Sequence, residues 1–182
     1  MKNEKILADL RRGLTMVYTG DGKGKTTAAF GLALRALGHN YRVFVVQFMK
    51  GRKYGEYLCA EKYLPGIKIS LEGLDSFVMR DKPSPVDIEL AKNGLALAEE
   101  VIYSGAYDMI ILDEINVALD FHLLDLQDVL KIITNKPSSV DLVLTGRYVP
   151  QEIIDAADMV SEVKNIKHHY GSGIKDRPGI EY

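Results

Sequence analysis

The feature that most constrains this chain is the nine-residue run Thr19-Gly20-Asp21-Gly22-Lys23-Gly24-Lys25-Thr26-Thr27. It lies between a short β-rich run, residues 14–18 (LTMVY), and an Ala/Leu-rich stretch with helical character, residues 26–37. A glycine-rich turn between a strand and a helix is the context of a phosphate-binding loop. Glycines let successive backbone N–H groups point inward as an anion-binding nest, and the helix N-terminus adds free N–H groups and a positive dipole end. Lys25 has the reach to touch outer phosphates, and the Thr26 hydroxyl suits a divalent cation bridging them. The usual spacing G-x-x-x-x-G-K-[ST] would begin with glycine at position 19, where this chain has Thr19. The competing reading is a left-handed turn capping a helix, but that does not account for Gly-Lys-Thr opening the helix.

The remainder alternates between apolar runs and helical patterns. Residues 42–48 (RVFVVQF), 67–71, 108–112, 141–144 and 159–163 read as strands. The run at 42–48 has a continuous apolar stretch, as expected where both sheet faces are covered. Helices are predicted at 56–64, 84–104, 125–135 and 150–157. The third-strand loop ends at Ser84-Pro85-Val86-Asp87, with a cap, a proline at the first helical position and an acid at the third. The helix after the glycine loop has almost no polar face, which predicts burial, and Gly38 stands where a left-handed C-cap usually falls. Cys59 lies in an apolar helical pattern that predicts a core position. Such alternation predicts an α/β fold with a mostly parallel central sheet flanked by helices, the P-loop NTPase (RecA-like) architecture. Residues 1–182 read as a single domain.

A nucleotide site of this type needs an acid at the end of a neighbouring apolar strand, at the carboxyl edge of the sheet. Met109-Ile110-Ile111-Leu112-Asp113-Glu114 supplies one, with Asp113 and Glu114 as metal-ligand candidates beside Thr26. The balance of 23 basic and 25 acidic residues, net −2, argues against a general grip on nucleic acid or an anionic membrane. One cysteine in 182 residues excludes an internal disulfide. No apolar run approaches the roughly 20 residues that span a bilayer, and the first residues are too charged for a signal-peptide core. The expectation is a soluble, cytoplasmic protein.

Several stretches together resemble the P-loop type of cob(I)alamin (corrinoid) adenosyltransferases. They are TGDGKGKTTAAFGLALRALGH at 19–39, VVQFMKG at 45–51, ILDE at 111–114, TGR at 145–147, DAAD at 155–158, and the tail VKNIKHHYGSGIKDRPGIEY at 163–182. The resemblance implies transfer of the 5′-deoxyadenosyl group of ATP to the Co(I) centre of a reduced corrinoid, with triphosphate released, in adenosylcobalamin biosynthesis or salvage. It implies ATP binding by Thr19, Gly20, Asp21, Gly22, Lys23, Gly24, Lys25, Thr26, Thr27 and Arg147. Lys25 and Glu114 would be catalytic, and Thr26, Asp113 and Glu114 would hold Mg²⁺ or Mn²⁺. It also implies corrin-facing residues in the loop after the third strand, where Leu74 and Phe77 are the candidates. The acceptor would be cob(I)alamin or a cobyrinic acid diamide-type corrinoid, with a flavoprotein electron donor and a homodimeric enzyme. Relatives commonly carry Asn where Asp21 stands.

Other features admit two readings each. His168-His169 reads as a surface or phosphate-facing pair rather than a metal site, because no further ligands stand at metal-binding spacing. The tail carries Lys164, Lys167, Lys175 and Arg177 against Asp176 and Glu181, and either folds over the substrates or is solvated. Arg147 follows a strand end and reads as a phosphate contact or a surface ion pair. Ile6, Leu7 and Leu10 suit a short helix packed on the domain. Gln47 and Lys50 fall near the site edge as adenine-pocket candidates. The alternative function is a small RecA-like ATPase or kinase acting on the γ-phosphate; a third reading is a nucleotide-binding regulatory module.

Overall fold

The computed structural model describes residues 12–182, so the helix expected around Ile6, Leu7 and Leu10 lies outside the described residues. Six strands form one sheet: β1 (Thr15–Thr19), β2 (Val43–Phe48), β3 (Ile67–Glu72), β4 (Met109–Asp113), β5 (Asp141–Thr145) and β6 (Met159–Glu162). Their spatial order is β3-β2-β4-β5-β1-β6, and every neighbouring pair is parallel. The intervening helices are α1 (Lys25–Leu37), α2 (Gly55–Tyr63), α3 (Pro85–Tyr103), α4 (Ile115–Asp120), α5 (Leu126–Asn135) and α6 (Gln151–Ala156).

Two apolar layers sandwich the sheet, as a parallel sheet requires. Val43, Val45, Ile111 and Val143 face α1 and α2, meeting Ala29, Ala33, Ala36 and Ala60. Val46, Phe48, Ile110, Leu112, Leu142 and Leu144 face the other side, against α3, α4, α5 and α6. The central strands β4 and β5 are buried along nearly their whole length. Each such aliphatic side chain contributes roughly 1.5–3 kcal/mol on burial, which makes these strands the rigid base of the site. Helix α3 begins as its composition predicts. Ser84 Oγ accepts from the Asp87 N–H, and the Asp87 carboxylate accepts from the Ser84 N–H, a reciprocal capping box with Pro85 at the first helical position.

Three expectations are corrected. Helix α1 is not buried all round: Ala29, Ala33 and Ala36 form the packed stripe, while Leu34 is exposed and Phe30 and Leu32 are half-buried. Positions at i, i+4 and i+7 share one face, and alanines there bring the helix close to the sheet. Gly38 is right-handed; the left-handed turn falls at Asn40, φ 62°, where Asn tolerates that conformation. Cys59 is exposed, because Ala60 is the α2 residue turned to the sheet. Helix α4 was not foreseen, and the tail holds a single 3₁₀ turn, His169–Ser172.

Candidate functional site

Because every strand is parallel, the segments that follow β1, β2, β4 and β5 all emerge at one carboxyl edge. That edge gathers the glycine loop, Lys50, the Asp113-Glu114 pair and Thr145-Gly146-Arg147.

The loop takes its shape from Gly20 (φ 97°) and Gly24 (φ 122°), both in the region that side-chain-bearing residues avoid. It delivers Lys25 into the first turn of α1. The Lys25 ammonium donates to the carbonyls of Gly20 (2.7 Å) and Gly22 (2.8 Å), so it lies against the concave side of the loop. Burial lowers its pKa and Arg147 adds to that, against the pull of Glu114, Asp21 and Asp113. A buried, incompletely neutralised cation at a ring of N–H groups is a site prepared for anionic charge. Asp21 and Thr27 are exposed, and the Asp21 carbonyl accepts from Arg147 at 3.4 Å.

Asp113 organises the other half. Its Oδ1 accepts from Thr26 Oγ1 (2.8 Å) and Thr145 Oγ1 (2.7 Å), and its Oδ2 from Lys50 Nζ (2.8 Å) and Gln47 Nε2 (3.0 Å). Burial alone would raise its pKa; the Lys50 charge and the bonds from Lys50, Thr145 and Gln47 hold it below the ordinary carboxylate range. This carboxylate is fully engaged and fixes Thr26 Oγ1, whose remaining lone pairs stay available. Lys50 and Gln47 also reach Glu56, at 3.4 and 3.1 Å.

Glu114 is held differently. It stands in a left-handed conformation, φ 63°, with its N–H bonded to Thr145 Oγ1 at 2.9 Å. Such a backbone costs of order 1–3 kcal/mol and persists where surrounding structure enforces it. Among the described residues no hydrogen bond or ion pair reaches its carboxylate. Burial, then the charge of Asp113, push its pKa up, against Lys50, Lys25 and Arg147. The open donors are thus one hydroxyl and one carboxylate, hard oxygens that suit Mg²⁺ or Mn²⁺ when phosphate oxygens and water complete the shell. No cluster of three or more His, Cys, Asp or Glu with metal-binding geometry occurs among the described residues.

The tail folds back onto the loop. The Gly22 N–H donates to the Val163 carbonyl (2.7 Å), and Lys23 Nζ to the Ile180 carbonyl (2.6 Å) with Glu181 at 3.5 Å. His168 and His169 stack at 4.5 Å, and His169 lies 3.7 Å from Glu181. A cleft of 560 Å³ is lined by Arg147 together with Asn165, Lys167, His168 and Tyr170 of the tail. Leu74 is 40% exposed and Phe77 fully so, which excludes core packing for Phe77.

The sequence placed the loop, Thr26, Asp113 and Glu114 together, and the structure does the same. Gln47 and Lys50 stand at the site edge as expected, and there both bond to Asp113. Thr145, which links Asp113 to Glu114, was not singled out for that role. The signal for Gln47 was present: an amide inside an otherwise apolar buried strand must find polar partners.

Residues 11–182 match the family described as ATP:corrinoid adenosyltransferase BtuR/CobO/CobP. A corrinoid adenosyltransferase from Sinorhizobium sp is 36% identical, covering 98% of this chain and 86% of that protein. One from Escherichia coli (strain K12) is 34% identical over 94% of this chain and 86% of its own length. Among solved structures, the KaiC-like protein PH0186 from Pyrococcus horikoshii OT3 superposes with TM-score 0.56 at 22% identity, covering 84% of this chain and 73% of that one. That likeness supports the RecA-like fold alone.

Proposed function

Because the chain belongs to the ATP:corrinoid adenosyltransferase family, we propose that its carboxyl-edge cluster holds ATP while the 5′-deoxyadenosyl group passes to Co(I) of a reduced corrinoid. The cobalt electron pair attacks the ribose 5′-carbon; a Co–C bond forms, the C5′–O bond breaks, and its electron pair leaves on triphosphate. No proton moves, so no general base is needed. Catalysis then consists of stabilising charge that grows on the leaving oxygen.

Lys25 and the N–H groups from Gly20 to Thr26, apart from that of Gly22, which the Val163 carbonyl takes, supply that stabilisation, with Thr19 closing the start of the loop and Lys23 and Arg147 at its rim. Asp21 is exposed, and its carboxylate charge acts on Lys25. Thr26 and Glu114 would hold Mg²⁺ or Mn²⁺, and Asp113 would act on it through Thr26 rather than by direct contact. The cation would supply additional neutralisation of the phosphates. Leu74 and Phe77 would meet the corrin. We further assign a single catalytic domain, a homodimer, a flavoprotein electron donor and a cytoplasmic location. No described helix is long and apolar enough to cross a membrane.

The observation that carries this reading is the Lys25 ammonium on the loop's concave side, beside a threonine hydroxyl fixed by a saturated aspartate. The test is incubation with ATP, Mg²⁺ and chemically reduced cob(I)alamin. A light-sensitive Co–C product with triphosphate supports the proposal. ADP and phosphate formed without corrinoid would instead identify an ATPase or kinase, and intact ATP a binding module.

A further inference from the structure

Two interlocked turns join the halves of the site. The β2 ladder runs past its end, with the Met49 N–H donating to the Glu72 carbonyl at 3.0 Å. Beyond it the two backbones touch. A Cβ on Gly51 would strike the backbone of Leu74 and Asp75, and one on Gly73 would strike that of Met49 and Lys50. Neither glycine can take a side chain without moving the opposite turn. Met49 itself is left-handed, φ 58°, unusual for a methionine. The segment that carries Leu74 and Phe77 is therefore seated on residues 49–51.

Lys50, at the centre of that turn, points the other way. Its ammonium sits 2.8 Å from Asp113 Oδ2, with its side chain 16% exposed. Glu56 lies at 3.4 Å, and the Tyr54 ring centroid at 5.5 Å. Gln47 reinforces the arrangement. Its NH₂ group lies between the Asp113 and Glu56 carboxylates, which fixes the amide orientation and leaves its buried Oε1 without a partner. An unsatisfied buried oxygen is tolerated where a network must hold one geometry.

We propose that Lys50 is a positioning residue: one end clamps Asp113, and hence Thr26, while the turn it stands on seats the Leu74–Phe77 loop. A single side chain thereby fixes the separation between the phosphate-holding half and the corrinoid-facing half. The claim rests on the adenosyltransferase reading. It concerns no contact of Lys50 with either substrate. In-line attack of cobalt on carbon needs the two reactants placed to within about 1 Å, and a displacement of that size costs about 100-fold in rate.

The test compares wild type with Lys50→Met and Lys50→Arg, below the unfolding midpoint of each variant. Dissociation constants for ATP and for unreduced cobalamin are measured without turnover, and kcat at saturation of both. Positioning predicts that Lys50→Met keeps both dissociation constants within about threefold while kcat falls about 100-fold. Lys50→Arg, which retains a cation, recovers most of the loss. A kcat within about threefold of wild type in folded Lys50→Met, or a loss confined to ATP affinity, overturns the proposal. Should Lys50→Met fail to fold, Gly73→Ala displaces the turn without removing a charge. It is expected to lower kcat at unchanged ATP affinity, and normal kcat in it overturns the proposal equally. A wild-type enzyme that makes no Co–C product would refute the functional reading instead.

Discussion

Lys25 illustrates how much one side chain must do. Its ammonium lies on two neutral carbonyls, those of Gly20 and Gly22. A phosphate oxygen is a stronger, charge-assisted acceptor, so a polyphosphate in the loop draws the ammonium from those carbonyls. Lys25→Ala removes the cation nearest the growing charge and is expected to lower kcat by about 10²–10³-fold, the scale for deleting one oxyanion-stabilising donor. Single-turnover formation of the Co–C product measures it, and near-normal turnover would take the loop lysine out of the chemistry. The residues of the loop were legible because their spacing is local: glycines, lysine and threonine stand within nine positions. The other partners of Asp113 were not, because Gln47, Lys50 and Thr145 are brought to it only by strand order.

At the scale of elements, legibility followed cap chemistry and burial. Helix α3 announces itself through Ser84, Pro85 and Asp87, and both capping bonds form. Ser84→Ala removes the acceptor for the Asp87 N–H and is expected to cost about 1 kcal/mol, within the 0.5–2 kcal/mol range for such caps. Urea titration with an unchanged m-value checks it; an unaltered midpoint would mean that tertiary packing alone holds the α3 start. Helix α4 escaped notice for the opposite reasons. It is six residues long, its N-cap Glu114 makes no capping bond, and four of its residues are buried, so neither a cap nor an amphipathic period marks it. The strands were readable as apolar runs, but the exposure of Cys59 was not. In the short α2 the packed position is Ala60, and an apolar neighbour in sequence looks the same whichever way it faces.

Across the whole molecule, the tail ties distant parts of the site edge together. Glu181 receives Arg177 at 3.1 Å, Lys23 of the glycine loop at 3.5 Å and His169 at 3.7 Å. Tyr182 comes within 5.5 Å of Arg52, and its backbone packs against Gly55 at the start of α2. The Arg177 hydrogen bonds lower the Glu181 pKa from 4.5 to about 2. A carboxylate whose pKa is depressed in the folded state stabilises the structure that holds it above its ordinary value, and that contribution fades as pH falls toward the depressed one. The terminal turn closed by Arg177 and Glu181 is therefore expected to stay ordered from neutrality to about pH 5 and to lose that support progressively between pH 4.5 and about 2. Hydrogen exchange at Gly179 and Glu181, whose N–H groups bond to Tyr182 and Arg177 carbonyls within the tail, reads the order of that terminal turn. Glu181→Gln should raise exchange at these two amides already at neutral pH. Protection that persists unchanged to pH 2.5, or that survives Glu181→Gln, would mean that Tyr182 packing and the Lys23 bond to the Ile180 carbonyl hold the turn without the Glu181 carboxylate.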